Sequence, residues 1–265
     1  MKLITILTDF GLQDGYPGIM KGVIYRIAPE VKIVDITHLI PPQDIYRGAR
    51  ILERSYPYFP QGTIHIAVVD PGVGTRRRPV AAKIGEHYFV GPDNGLFTFP
   101  LLAVIEKGIP FECVELNQPQ YWLENVSHVF HGRDIFAPVA AHLANGVPLS
   151  ELGSYIENPV MLDLPQPQVL ADQIVGEIID IDHFGNLSTN IPGEWLLQYP
   201  PHQLTFSFKD ITIKGLNKTF GERQPGEWVA FIDSDHYLAI AIVNGNAASR
   251  AQCNTRTPIK VILSS

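Results

Sequence analysis

Three short apolar runs, residues 3–8, 32–36 and 64–69, recur near the start of the chain, each rich in Ile and Val. Runs of this length and composition suit strands covered on both faces. Between them, residues 18–27 and 44–56 carry apolar side chains at helical spacing, and Pro29 stops the first of these helices. Residues 80–84 and 87–90, parted by Gly85-Glu86, predict a hairpin. A further apolar stretch, from Ile135 to Leu143, predicts a helix. The repeated strand–helix–strand order predicts a mainly parallel sheet with helices on both faces over residues 1–157.

The pattern changes at residues 158–172, where Pro159, Pro165 and Pro167 stand among few helix formers, as in an inter-domain linker. From 173 to 265 short strands and turns take over, at residues 174–181, 203–208, 211–213, 228–233, 238–243 and 259–263. Helical periodicity is scarce there, which predicts a small β-sandwich or barrel.

Composition narrows the classes of function. The chain has 265 residues, 45% of them apolar and 18% charged, as in an ordinary globular protein with ample core. A net charge of −7 argues against a general nucleic-acid binder, and the run Arg76-Arg77-Arg78 is too short to reverse that. No stretch approaches the ~20 apolar residues of a membrane span. Met1-Lys2-Leu3 leads straight into a strand with no room for a signal peptide, so a soluble cytoplasmic protein is expected. Cys113 and Cys253 lie far apart without a CxxC context, which suits buried thiols better than a disulfide or a metal site.

Candidate chemistry gathers at the ends of elements. Asp70 closes an apolar strand and opens the turn DPGVGT, which leads into three arginines. Carboxyl ends of buried strands are where open α/β sheets place ligands, and an arginine is an obligate cation for such an acid. The first strand likewise ends in Asp9-Phe10-Gly11, with Asp14-Gly15 close behind. Phe130-His131-Gly132-Arg133-Asp134 precedes the apolar stretch from Ile135. A carboxylate, a guanidinium and an imidazole at element edges together suggest a site. The turn GVGT lacks the Gly-Lys-Ser/Thr ending that cradles phosphates. In the second half, Asp182-His183-Phe184-Gly185-Asn186, Ser234-Asp235-His236-Tyr237 and Asn244-Gly245-Asn246-Ala247-Ala248 read as polar turns. Phe184 beside Asn186 could also stack on and hydrogen-bond a purine.

The strings TDFG, DPGVGTRRR, GPDNG, FHGRDIFAP, DHFGN and SDHYL…NGNAAS, in this order from Asp9 to Ser249, resemble the SAM hydroxide adenosyltransferase family. These are S-adenosyl-L-methionine hydrolases related to fluorinases and chlorinases. The resemblance implies an amino-terminal α/β domain, a smaller carboxyl-terminal β-barrel domain, and a homotrimer whose sites lie at subunit interfaces. It implies Asp70, Arg77 and His131 as the catalytic set, with Arg76 and Arg78 flanking the arginine. It assigns Asp9 to the ribose, Asp182 and Ser234 to the methionine portion, and Asn186 and the Asn246-Ala247 edge to adenine, beside Phe184. Gln43 stands where halogenating relatives carry a tryptophan over the ribose, and its role stays open.

The implied reaction is in-line attack of water on the ribose 5′ carbon, releasing adenosine and neutral methionine. Proton transfer from water to an ordinary Asp spans about 12 pKa units, or roughly 16 kcal/mol. The proton therefore leaves late, or hydroxide is stabilised electrostatically, a task that suits Arg77; His131 suits the final proton acceptor. SAM is the substrate, and neither cofactor nor metal is expected, because the sulfonium needs no Lewis acid. A halogenase would place a halide beside ionised Asp70, at a cost of several kcal/mol in a dry pocket. Halogenating relatives carry a tyrosine at that position and lack the matching histidine. A non-catalytic SAM- or adenosine-binding protein is the reading from another class, with Asp70, Arg77 and His131 as a structural ion pair and its neighbour.

Overall fold

Side chains alternate across the first strand, β1 (Leu3–Thr8): Ile4 and Ile6 enter one apolar core and Leu7 the other. A sheet whose strands feed both faces must be covered on both. The computed structural model describes residues 2–263 and divides into two units, up to Leu162 and from Asp163.

The first unit continues with α1 (Tyr16–Ile27), β2 (Lys32–Thr37), α2 (Ile45–Ser55), β3 (Ile64–Val68), β4 (Pro79–Ile84) and β5 (His87–Pro92). It ends with α3 (Thr98–Ile105), β6 (Phe111–Leu116), α4 (Ala137–Ala144) and β7 (Gly153–Tyr155). Sheet order is β2-β1-β3-β5-β4-β6-β7. The first four strands run parallel. The remainder extend the sheet antiparallel, β4 and β5 as the expected hairpin. Met20 and Ile24 of α1 pack with Val139 and Ala140 of α4 on one face. Ala49 and Leu52 of α2 pack with Leu101 and Val104 of α3 on the other. The chain thus leaves β1 over one face for β2, then returns over the opposite face to β3 on the far side of β1. That reversal makes the β1/β3 crevice a topological switch point.

Several elements differ from the sequence pattern for visible reasons. α1 starts at Tyr16, ahead of the predicted residue 18, because Pro17 sits in its first turn where no amide donor is needed. β2 is an edge strand with half of its side chains exposed, although its apolar run suggested cover on both faces. The stretch before α4 opens with a π-helical turn over Gly132–Phe136. The proline-rich residues 158–172 are shared between the units. Arg78 donates to Asn158 Oδ1 (3.0 Å), and the amides of Val160 and Leu162 donate to Asp93 and Thr98 (2.7 and 2.8 Å). β8 (Gln168–Val169) pairs instead with the first long strand of the second unit.

That unit comprises β9 (Gln173–Ile181), β10 (Leu187–Pro192), α5 (Gly193–Leu197), β11 (Leu204–Phe208) and β12 (Ile211–Lys214). It closes with β13 (Trp228–Ile232), β14 (Tyr237–Ile242), α6 (Ala247–Ala251) and β15 (Pro258–Leu263). The order β12-β11-β15-β9-β10-β14-β13 is antiparallel throughout. Asn217, just beyond β12, bridges to Phe231 of β13, bringing the two edges together into a nearly closed barrel. Ile178, Leu187, Phe206, Leu238, Ile240 and Val261 fill its interior.

One polar network lies inside the first unit, on the side of the sheet whose core takes Leu7. His65, on the β3 face opposite Ile64 and Ile66, bonds Thr5 Oγ1 through Nδ1 (2.7 Å) and His87 Nδ1 through Nε2 (3.2 Å). Tyr56, Phe59 and Phe89 surround it. Burial, then the neighbouring His87, push the His65 pKa down to about 3. The unfolded chain binds this proton near pH 6.5 and the folded chain does not, so stability is full above pH 6.5 and falls as the pH drops towards 3. The expected slope from this group is about 1.4 kcal/mol per pH unit. Urea unfolding of His65→Phe across that window should show the slope reduced by about one proton relative to the unsubstituted chain.

Candidate active site

β1 and β3 are parallel neighbours, with Thr8 opposite Val68, so the residues just past their ends, Asp9 and Asp70, emerge side by side at the carboxyl edge of the switch point. Both line a cavity of about 670 Å³ with Phe10, Gln43, Phe130 and His131. The loop after Asp70 is tied to itself. The Val73 amide donates to the Asp70 carbonyl, and Thr75 donates to Gly72 O through its amide (3.1 Å) and its hydroxyl (2.7 Å). Gly74, at φ +76°, lies where a Cβ would come within 2.3 Å of the His128 carbonyl oxygen. No other residue permits both that backbone and that approach.

This loop returns Arg77 to Asp70. Arg77 Nε lies 2.9 Å from each Asp70 carboxylate oxygen, and Nη2 donates to Oδ2 as well. The same Nη2 donates to His131 Nδ1 at 3.0 Å. Phe136 stacks under the guanidinium carbon at 5.3 Å. Arg77 Nη1 is buried without a hydrogen-bond partner among the described residues. Both side chains of the ion pair are nearly buried, at 9% and 6% exposure, so solvent screens the pair little. Arg77 is not itself among the residues lining the cavity; Asp70 and His131 are. Its charge acts from behind them.

His131 enters from the π-helical turn, a widening that recurs at functional sites. Buried Asp134 fixes that turn by accepting from the Ser127 amide (2.8 Å) and Arg133 Nε (2.6 Å). Burial foremost, then Arg77 and His128, lower the His131 pKa against the opposing pull of Asp70 and Asp134. A guanidinium has only donors, so Nδ1 must accept and the proton of the neutral ring sits on Nε2. With Nδ1 engaged by Arg77, His131 can take a proton at that nitrogen only by giving up this bond. Protonating Nδ1 would break the bond to Arg77 and set two cations against each other.

Arg76 is exposed, and its side chain makes no hydrogen bond among the described residues. Arg78 donates to Asp93 through Nε (2.8 Å) and binds Asn158. Phe10, Tyr16 and Phe130 form a mutually edge-on cluster beside the cavity, with centroids 5.2–6.1 Å apart. Phe10 and Phe130 stood within the strings noticed in the sequence, but nothing in their spacing marked them as cavity walls, and Tyr16 carried no such signal.

In the second unit, Asp182, Phe184 and Asn186 line a cavity of about 570 Å³ with Phe220, Val243 and Asn244. Asp182 organises this loop, accepting from the amides of Phe184 (2.9 Å) and Asn186 (2.8 Å) and from Asn186 Nδ2 (2.8 Å). Phe184 is 71% exposed. Gly185, at φ +84°, leaves room for Asn246, whose side chain would lie 2.2 Å from a Cβ there. Asn246 Oδ1 caps α6 by accepting from the Ser249 amide (2.7 Å), and buried Ala247 begins that helix. Ser234 sits exposed in the turn before β14. Ser234, Asn246 and Ala247 are not among the residues lining this cavity.

An α/β unit with acids at its switch point and a guanidinium joining one of them to an imidazole defines a polar small-molecule site. Comparison with known proteins then places the chain. Residues 4–153 match the model of the SAM hydroxide adenosyltransferase N-terminal domain, and residues 176–260 match that of the C-terminal domain. An "(R)-S-adenosyl-L-methionine hydrolase" of Salinispora tropica is 42% identical over 92% of each chain. A protein of the same name from Thermus thermophilus is 37% identical over 99% of this chain and 100% of its own length. A fluorinase of Nocardia brasiliensis is 31% identical over 94% of this chain and 92% of its own. The crystal structure of an uncharacterized conserved protein from Thermotoga maritima superposes with a TM-score of 0.88 at 36% identity, covering 98% of this chain and 99% of that one. The chain belongs to the SAM hydroxide adenosyltransferase family.

The adjacent arginines separate by experiment. Removing Arg78 leaves the Asp93 carboxylate, 4% exposed, without its cation. Arg78→Ala should lose about 3 kcal/mol in equilibrium unfolding, whereas Arg76→Ala should stay within about 0.5 kcal/mol of the unsubstituted chain.

Proposed function

We propose that this chain hydrolyses S-adenosyl-L-methionine to adenosine and L-methionine, with water attacking the ribose 5′ carbon in line with the departing sulfur. The arrangement that carries the reading is the Asp70–Arg77–His131 set at a cavity shared with Asp9. Relatives named (R)-S-adenosyl-L-methionine hydrolase, at 37–42% identity, support it.

Asp9 holds the ribose hydroxyls and so sets the line of attack. Water rests between Asp70, which accepts from it, and the Nε2–H of His131. The oxygen–C5′ bond forms while the C5′–S pair withdraws onto sulfur, leaving a neutral thioether. The attacking oxygen becomes strongly acidic as it bonds to carbon, and only then does its proton pass to Asp70 and on to solvent. This order avoids the ~16 kcal/mol cost of making hydroxide first. Fixing the water ~3–3.5 Å from C5′ supplies much of the acceleration. The sulfonium is already an activated leaving group, so no metal or organic cofactor takes part.

On the second unit, Phe184, Asn186 and the Asn246-Ala247 edge take adenine, and Asp182 and Ser234 take the methionine portion. Three of the roughly four acceptor positions of the Asp182 carboxylate are used within its loop, which leaves one for the substrate ammonium. Fluorinases are relatives too, but a halide here would face the Asp70 carboxylate, which disfavours halogenation. Among the described residues no helix is long and apolar enough to cross a membrane; we assign the enzyme to the cytoplasm.

Reaction in oxygen-18 water, with chelator present, should place the label on the 5′ oxygen of adenosine, read by mass spectrometry. Unlabelled adenosine, or activity that appears only with an added divalent ion, would contradict the mechanism. The active species is proposed to be a homotrimer with sites shared between subunits. Asp70→Ala and Asn186→Ala chains, each inactive alone, should regain part of the activity when co-assembled. Verified mixed oligomers without recovery, or an active monomer, would place the whole site in one chain.

A further inference from the structure

The loop between β2 and α2 grips the Asp9 turn at three points. His38, 3% exposed, hydrogen-bonds Thr8 Oγ1 through Nδ1 at 2.8 Å and stands 3.1 Å from Asp35 through Nε2. Its backbone carbonyl accepts from the Gly11 amide at 2.8 Å. Thr8 Oγ1 is in turn 3.2 Å from the Phe10 amide. Five residues on from His38, the Gln43 amide donates to Asp9 Oδ2 at 2.8 Å. No other hydrogen bond reaches the Asp9 carboxylate among the described residues.

Gln43 can do this because its backbone is left-handed, at φ +68°. A non-glycine residue in that region is strained and persists where its surroundings hold it. The surroundings are on hand. Asp44, the next residue, caps α2 by accepting from the Arg47 amide (2.9 Å), and its own amide donates to Pro41 O (3.1 Å). Helix α2 therefore anchors one end of the loop, and buried His38 anchors the other. A single backbone donor on one carboxylate oxygen fixes the rotation of the group while its other oxygen stays unclaimed.

We propose that His38 and Gln43 are positioning residues that hold the Asp9 carboxylate in the orientation needed to bind the two ribose hydroxyls. The inference rests on the reading of Asp9 as the ribose ligand. His38 acts through the Thr8–Gly11 backbone, and Gln43 through its N–H, so neither needs to touch the substrate for this role. Strain at Gln43 is tolerated because relaxing it would withdraw that N–H.

The test compares SAM with its 2′,3′-dideoxy analogue, which offers Asp9 nothing to hold. The quantity read is the ratio of kcat/KM for the two substrates. In the unsubstituted enzyme SAM should be favoured by a factor of about 100 or more, as two hydrogen bonds to a carboxylate imply. His38→Ala should reduce that ratio about tenfold, through a lower kcat/KM for SAM, with little change in the weak reaction of the analogue. His38→Asn, whose amide can replace Nδ1 towards Thr8, should restore most of the ratio. Gln43→Gly accepts the same φ and keeps the N–H, so it should preserve the ratio. Gln43→Val, which resists that backbone, should reduce it. Loss of SAM and analogue turnover in equal proportion in His38→Ala, or a ratio unchanged in both His38→Ala and Gln43→Val, would overturn the proposal while leaving the Asp9 reading intact. An unsubstituted enzyme that does not distinguish the two substrates would overturn that reading, and this proposal with it.

Discussion

Arg77 carries a charge that it cannot shed in the physiological range, and its rigid fork of donors sets the state of both groups it touches. One edge of the fork holds the Asp70 carboxylate, and the shared Nη2 reaches His131. Two consequences follow from those contacts alone. Asp70 is held in the rotamer that lets it face the cavity, and His131 is held neutral with its proton on the outward nitrogen. An acceptor and a donor then stand together at one wall, where a single water molecule can be oriented. A direct Asp–His contact would make the imidazole a base. Placing the guanidinium between them makes it a donor.

The scaffold supplies this arrangement without special chemistry. Parallel pairing of β1 and β3 brings two strand ends together, and opposite helical crossovers open a crevice between them. A glycine at 74 lets the loop after Asp70 fold tightly enough to return an arginine to the same acid. The loop from His38 to Gln43 then acts on the neighbouring acid. Each functional side chain is reached by the end of a regular element plus a short, internally hydrogen-bonded turn, which suits a reaction that depends on alignment.

What could be read from residues alone followed physical range. Strands β1 and β3 were legible because buried strands are dominated by apolar residues, and α2 through the helical spacing of its apolar residues. Helix α3 escaped notice because Thr98–Ile105 is apolar around its circumference and contains Pro100, so no periodicity shows. β10 carries Ser188, Thr189 and Asn190 in sequence, which hides a strand whose polar groups are satisfied by neighbours such as Leu238 O and Pro165 O. The turn read at residues 244–248 is present at Asn244-Gly245, but its second half is the N-cap and first residues of α6, too short a helix to have a pattern. In the site, Asp70, Arg77 and His131 were legible as residue types at element ends. The order of contact, with arginine in the middle, was not, since His131 lies 54 residues from Arg77. Nor was the bond from Gln43 to Asp9, which joins backbone to side chain across 34 residues.

The neutral, Nε2-protonated imidazole is the point on which the account turns, and nitrogen-15 NMR of labelled histidines reads it directly. Assigned through His131→Gln, the His131 ring should show a protonated Nε2 and an unprotonated Nδ1 at pH 7. It should also titrate below the ordinary histidine value of 6.5. An imidazolium at pH 7, or a neutral ring with its proton on Nδ1, would contradict the bond to Arg77 and the division of roles drawn from it.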